Sequence, residues 1–467
     1  MYAATGGKVI GPNKGPAPCR DIVPLVLFLA NVIFIFVFAF MYNGKVELPS
    51  ITDNNNFTSA EVIELGFLSA GLAFGGGLGI VVVWLVLLFV NAYCMIIFGQ
   101  LSMAVLLVAS GIVFVQQALA GITVMLSWIL AILCFFGAAF TILWIWCIRD
   151  RIEFTALLLK TIAVDLAKMP ELILISMCAA CLSYGFLLVW YCAALEFNDT
   201  VLKQGESVQM DSSVSPGVYA ANAWLLLILF WAELVIVNVS FVTTCGAVGE
   251  AYFSGHESVE ARGTLCCRPA AWSALRRAVT TSLGSIAFGS LLVAIIQTLK
   301  AMARSAQRDS RNGLVALVMC CVVCLLDCIE RLLRWLTEWA YVYVALYGTG
   351  LIESGSKVME MLSKSGIDAI ITTVLVDPVL RMAIFAGLGA GIGLGCAAVN
   401  ISGTELYWFA CVLGAIVGAV VVAVGLAPVH AGTKALFVCI AEEPLLLQAK
   451  APELSAKVRE MMPMGKP

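Results

Sequence analysis

Residues 230–253 read FWAELVIVNVSFVTTCGAVGEAYF. The run is apolar enough to lie in a membrane, yet it carries a carboxylate, Glu233, two positions after Trp231. An acid inside a bilayer is costly unless something offsets its charge, so it defaults to a functional reading. The chemistry it suits is attraction of a positively charged solute. A quaternary ammonium donates no strong hydrogen bond, and its recognition needs aromatic ring faces beside a compensating negative charge. The bland alternative is a buried acid that only hydrogen-bonds neighbouring helices.

Helical geometry divides the stretch. At about 100° per residue, Trp224, Trp231 and Asn238 form one stripe, and Glu233, Ser240 and Thr244 form another on nearly the opposite side. One straight helix therefore cannot bring Trp231 and Glu233 to the same small ligand. A second aromatic set lies in RWLTEWAYVYVALYG, where Trp335, Trp339, Tyr343 and Tyr347 recur every fourth residue. Such a ladder presents ring faces to a cation, or it forms an interfacial belt or ordinary packing. Gln297 is a polar helper able to orient a substrate hydroxyl. The candidate substrate-binding residues are Trp231, Glu233, Asn238, Gln297, Trp339, Tyr343 and Tyr347. Asp327 and Glu338 lie nearer other charges and fit an interfacial position.

Neither catalysis nor a metal centre is indicated. The two histidines, His256 and His430, have no histidine or cysteine three or four residues away. There is no nucleophile elbow and no phosphate-binding loop. The 17 cysteines sit mostly in apolar runs and read as small buried hydrophobes. Cys320, Cys324 and Cys328 share a helix face without a histidine or second thiol pair nearby, which disfavours zinc and leaves acylation or packing. GLGAGIGLG, residues 387–395, contains a dinucleotide-type glycine spacing, but inside an apolar helix rather than after a strand. Gly387, Gly391 and Gly395 at four-residue spacing instead form a ridge for close helix contact. No cofactor is expected.

The elements that must position these residues are membrane helices. The chain is 61% hydrophobic and 12% charged, with a mean hydropathy of +0.99. A soluble domain is about 25% charged. The net charge of −3 and the lack of a basic arm argue against a nucleic-acid partner. The expected class is all-α: a polytopic membrane helix bundle of about ten transmembrane helices with amphipathic cytoplasmic helices. Residues 1–20 read as a disordered cytoplasmic tail, 21–430 as the transmembrane domain and 431–467 as a cytoplasmic tail. The apolar block from Leu65 to Trp146 is long enough for three spans, with breaks expected at Gly75-Gly76-Gly77, Gly99-Gln100 and Gln116-Gln117. RIEFTALLLKTIAVDLAK is expected to lie as an amphipathic helix on the inner membrane surface. The loop EFNDTVLKQGESVQMDSSVSPG is acidic and reads as extracellular.

Glycan acceptor patterns occur at Asn56, Asn198 and Asn400. Arg262, Arg268, Arg276 and Arg277 place the segment after the opening stretch inside. Ten spans with both tails inside put Arg304, Arg308 and Arg311 outside, against that same rule.

Several blocks together resemble the choline transporter-like proteins, in particular their fungal and protist branch. They are Gly246-Ala247-Val248 with Tyr252-Phe253, SLGSIAFGSLLVAIIQ at 282–297, AYVYVALYGTGLIESGSKVMEML at 340–362 and ALFVCIAEEP at 435–444. Departures are Thr337-Glu338-Trp339 before the A-Y block, Thr349 after Tyr347-Gly348, and Ala251 before Tyr252. The resemblance implies a ten-span protein of the plasma membrane or an organelle, both ends cytoplasmic, moving choline, ethanolamine or a related amine by alternating access. A non-transporting scaffold or signalling protein of the same fold is the other reading. An intramembrane enzyme lacks a nucleophile and base.

Overall fold

The computed structural model describes residues 20–41, 59–121, 124–206, 216–253, 269–309, 313–403 and 406–461. Among these the secondary structure is helical throughout. The main helices are α1 (Ile22–Met41), α2 (Ser59–Leu119), α3 (Val124–Cys147), α4 (Arg149–Ala167), α5 (Glu171–Glu206) and α6 (Pro216–Phe253). They continue with α7 (Pro269–Val279), α8 (Leu283–Asp309), α9 (Gly313–Tyr347), α10 (Leu351–Ser402) and α11 (Tyr407–Glu442). Two short helices, α12 (Leu447–Lys450) and α13 (Pro452–Met461), end the described chain.

Eight of the described helices are long and apolar enough to cross a membrane. One of them, α2, runs for 61 residues, whereas a single crossing takes about 20. Its non-helical residue, Asn91, divides it into two crossing-length halves. The expected glycine breaks are not breaks. Helix continues through Gly75-Gly76-Gly77 and Gly99-Gln100, and the chain turns only at Ala120 and Gly121, where φ is +77°. A Cβ on Gly76 would meet the Leu394 side chain, and one on Gly99 would come within 3.1 Å of the Val379 nitrogen. These glycines serve close packing rather than interruption.

The chain divides into two compact units, residues 1–50 with 174–361, and residues 51–173 with 362–467. In the second unit the expected glycine ridge is present. A Cβ on Gly387, Gly391 or Gly395 would run into the carbonyl oxygen of Gly418, Gly414 or Ala410 respectively, so α10 and α11 touch backbone to backbone. Helix α4 differs from the surface helix expected. Its apolar face, including Ile152, Phe154, Leu158, Leu159 and Ile162, is buried by protein. It packs on α2 and α11, with Phe154 edge-on to Phe437 at 6.3 Å. That accounts for ALFVCIAEEP: it is the last turns of α11, buried from Ala435 to Ile440.

The first unit is organised around α8. Gly284 admits the Arg20 and Asp21 carbonyls, and Ser285 donates to Asp21 Oδ2 at 2.6 Å. Gly289 leaves room for the Tyr341 ring, and Ser290 accepts from the Asn238 amide at 3.0 Å. The block SLGSIAFGSLLVAIIQ thus presents successive small or polar positions to α1, α6 and α9. The loop expected from Glu196 to Gly217 begins later, because α5 continues to Glu206.

Candidate functional site

Helix α6 carries the two stripes read from its sequence, and each meets a different neighbour. The tryptophan stripe faces α1 and α8. Trp224 lies 4.6 Å from Phe34, and Trp231 5.4 Å from Phe28, between ring centroids. The Trp231 indole donates to the Ala287 carbonyl at 2.8 Å, and the ring is 4% exposed. Asn238 continues the stripe through Ser290, whose hydroxyl lies 3.4 Å from that of Tyr341. Tyr341 donates in turn to the Ile286 carbonyl at 3.0 Å. This face is apolar rings plus satisfied hydrogen bonds, the composition of a packed core.

The acid stripe faces α5. Ser240 and Ser176 share a hydrogen bond at 2.9 Å, and Thr244 returns its hydroxyl to the Ser240 carbonyl. Glu233 lies beside Ser183 of α5. Its Oε1 is buried with no hydrogen-bond partner among the described residues, and so is the Ser183 hydroxyl. A carboxylate oxygen shielded from water without a full set of donors has lost part of the solvation it had in water. What offsets that deficit best is a cation or a proton.

The remaining candidates gather elsewhere. Trp339 is 0% exposed and Tyr343 1%, with Trp335 edge-on to Trp339 and Tyr343 stacked on Tyr347 at 5.9 Å. The ladder does receive a cation, but an internal one: Lys357 Nζ sits 5.3 Å from the Tyr347 ring centroid. Lys357 also pairs with Glu353 at 3.4 Å. Gln297 donates to Glu330 Oε1 at 2.9 Å and so belongs to a charge cluster between α8 and α9. There Lys300 bridges Asp327, at 3.2 Å, and Glu330, while Arg331 pairs with Asp327 and Arg334 with Glu330 at 3.1 Å.

The structure therefore joins Trp231 to Asn238 and Gln297 to the acidic pair of α9. It does not join either set to Glu233. Sequence reasoning missed Lys300, Glu330, Tyr341 and Asp21. For the first two a signal existed: Gln297 with Lys300 and Asp327 with Glu330 are both i, i+3 pairs, which places each pair on one helix face. Tyr341 and Asp21 gave no such signal.

Of the glycan acceptors, Asn56 lies outside the described residues, as does the side chain of Asn198. Asn400 is exposed on the last turn of α10, and its Oδ1 accepts from the Tyr407 hydroxyl at 3.0 Å. His256 also lies outside the described residues. His430 lies 3.6 Å from Asp377. No cluster of three potential metal ligands occurs among the described residues.

Relatives of the chain include fungal and amoebal proteins. It is 31% identical over 263 residues to Protein PNS1 of Mycosarcoma maydis, covering 54% of this chain and 48% of that one. It is 26% identical over 489 residues to Protein PNS1 of Cryptococcus neoformans, covering 98% and 84%. It is also 26% identical over 478 residues to a CTL-like protein of Dictyostelium discoideum, covering 97% and 80%. The chain spans about half the length of the first of these. Residues 132–445 match the family described as plasma-membrane choline transporter. That match takes in α4 to α11, the helices that build both stripes of α6, the α8 hub and the glycine ridge, and the chain belongs to the choline transporter-like family.

Proposed function

We propose that the protein moves choline, ethanolamine or a related small organic cation across a membrane by alternating exposure of a central site. The observation that carries this reading is Glu233: a half-buried carboxylate on a membrane helix of a choline transporter-like chain, with the Ser183 hydroxyl beside it and no cationic side chain against it among the described residues. An anion so placed attracts a positively charged solute. The Trp231 and Asn238 face holds α6 against α8, and Gln297 from α8 with Trp339, Tyr343 and Tyr347 from α9 are the further residues proposed to meet the solute as the helices rearrange. The proposed location is a plasma or organellar membrane with both termini cytoplasmic. Asn56, Asn198 and Asn400 are the proposed glycan acceptors.

The test is uptake of labelled choline and ethanolamine into proteoliposomes, with and without a pH gradient. Flux above that of empty liposomes is expected, and flux equal to theirs ends the transport reading. A second reading, a non-transporting scaffold, is favoured by the complete burial of Trp339 and Tyr343. Choline distinguishes the two. At 100 times its dissociation constant it stabilises a binding protein by about 2.7 kcal/mol and leaves a scaffold's melting temperature unchanged.

A further inference from the structure

Helices α10 and α11 form a hairpin whose backbones touch along the glycine ridge. Cys396 lies one residue beyond the last ridge glycine, Gly395, and Cys411 one residue beyond Ala410, whose carbonyl that glycine meets. Their sulfurs are 3.0 Å apart, and both side chains are partly exposed. A disulfide is about 2.05 Å long and needs close Cα atoms, so about 1 Å of side-chain approach separates the pair from bonding. The backbones are also close beside the pair. A Cβ built on Gly395 would lie 2.9 Å from the Cys411 Cα, so these two chains have no further to travel. The cysteines of α9 differ in kind: Cys320, Cys321, Cys324 and Cys328 follow one another along one exposed face of a single helix.

We propose that Cys396 and Cys411 are a dithiol–disulfide couple, a modification site that ties α10 to α11 beside the turn at Gly403. Oxidation proceeds by exchange with a low-molecular-weight disulfide. One thiol loses its proton and attacks the donor, releasing one thiolate; the second thiol, deprotonated in turn, attacks the mixed disulfide and releases the other. The pair loses two electrons and two protons, and the donor leaves as two thiols.

The experiment uses the full chain, purified without reductant and split between oxidised glutathione and dithiothreitol. Free thiols are then blocked with N-ethylmaleimide, and peptides are identified by mass spectrometry. The peptides bearing Cys396 and Cys411 are expected to be linked to each other after oxidised glutathione and separately alkylated after dithiothreitol. In Cys396→Ser, Cys411 is expected to end as an N-ethylmaleimide or glutathione adduct with no internal partner. The proposal is overturned if both residues remain fully alkylated after oxidised glutathione, or if either links to a different cysteine of the chain.

Discussion

Asp21 Oδ2 accepts the backbone N–H of Leu351 at 3.1 Å, a bond between residues 330 positions apart in the chain. The same oxygen accepts the Ser285 hydroxyl at 2.6 Å. One carboxylate thus joins the residue before α1 to the first turns of α8 and α10, and its charge complements the positive end of each helix dipole. Asp21 holds a positive φ of 54°, which asparagine tolerates and alanine resists. Asp21→Asn keeps an acceptor and the backbone shape but loses the charge, and it is expected to cost about 1 kcal/mol. Asp21→Ala loses acceptor, charge and backbone preference together and should cost about 3 kcal/mol. Thermal melts of the two variants check the order; a smaller shift for alanine than for asparagine contradicts this role.

The α10–α11 ridge makes an opposite prediction at neighbouring glycines. A Cβ at Gly391 collides with the Gly414 carbonyl, whereas one at Gly389 meets nothing within 4 Å. Gly391→Ala must push the helices apart and is expected to destabilise by about 1–3 kcal/mol. Gly389→Ala improves helix propensity without contact and should be neutral or stabilising by up to about 1 kcal/mol. Melting temperatures of the pair decide the matter, since ridge packing requires the two to move in opposite directions or differ by at least the packing cost.

The contrast between these glycines also marks where sequence reading succeeds. Small residues at four-residue spacing can only serve one face, so the ridge at Gly387, Gly391 and Gly395 is legible from spacing alone. The two stripes of α6 are equally legible, because helical phase separates Trp231 from Glu233. Phase does not say which neighbour each stripe meets, so the bond from Trp231 to Ala287 and the place of Glu233 beside Ser183 lie beyond it. Gly76 and Gly99 mislead for a related reason: a glycine that breaks a helix and one that admits a partner look alike until the partner is known. Asp21 is hidden because its two partners lie hundreds of residues away in sequence.

The cluster on α8 and α9 yields a test of coupling. The side chains of Lys300 and Glu330 are 14% and 9% exposed, so removing either one takes a partner from a charge held in a poorly solvated place. Lys300→Met leaves Asp327 and Glu330 facing each other with only Arg331 and Arg334 to neutralise them, and a clear loss of stability is expected. Glu330→Gln keeps the bond to Gln297 in altered form and leaves Lys300 with Asp327, so its cost should be smaller. The double variant should be less destabilised than the sum of the two singles, because the second change removes the charge stranded by the first. Additive losses in a double-mutant cycle on thermal stability would mean that the two groups do not sense each other.

Glu233 and Trp231 separate function from framework. Glu233→Gln is nearly isosteric, removes the charge, and offers the Ser183 hydroxyl an amide partner. Stability is therefore expected to hold or rise slightly, while uptake of choline into proteoliposomes falls by about tenfold or more, the equivalent of about 1.4 kcal/mol of lost cation attraction. Trp231→Phe keeps an aromatic ring against Phe28 but loses the indole bond to the Ala287 carbonyl, which then keeps only its helical hydrogen bond, and it should lower stability by about 1 kcal/mol. If α6 meets the solute through its acid face, the phenylalanine variant retains uptake in proportion to the protein that remains folded. Should Trp231→Phe abolish uptake at full folding while Glu233→Gln leaves it intact, the solute meets the tryptophan face instead, and the unsatisfied carboxylate is a structural feature of the α5–α6 contact.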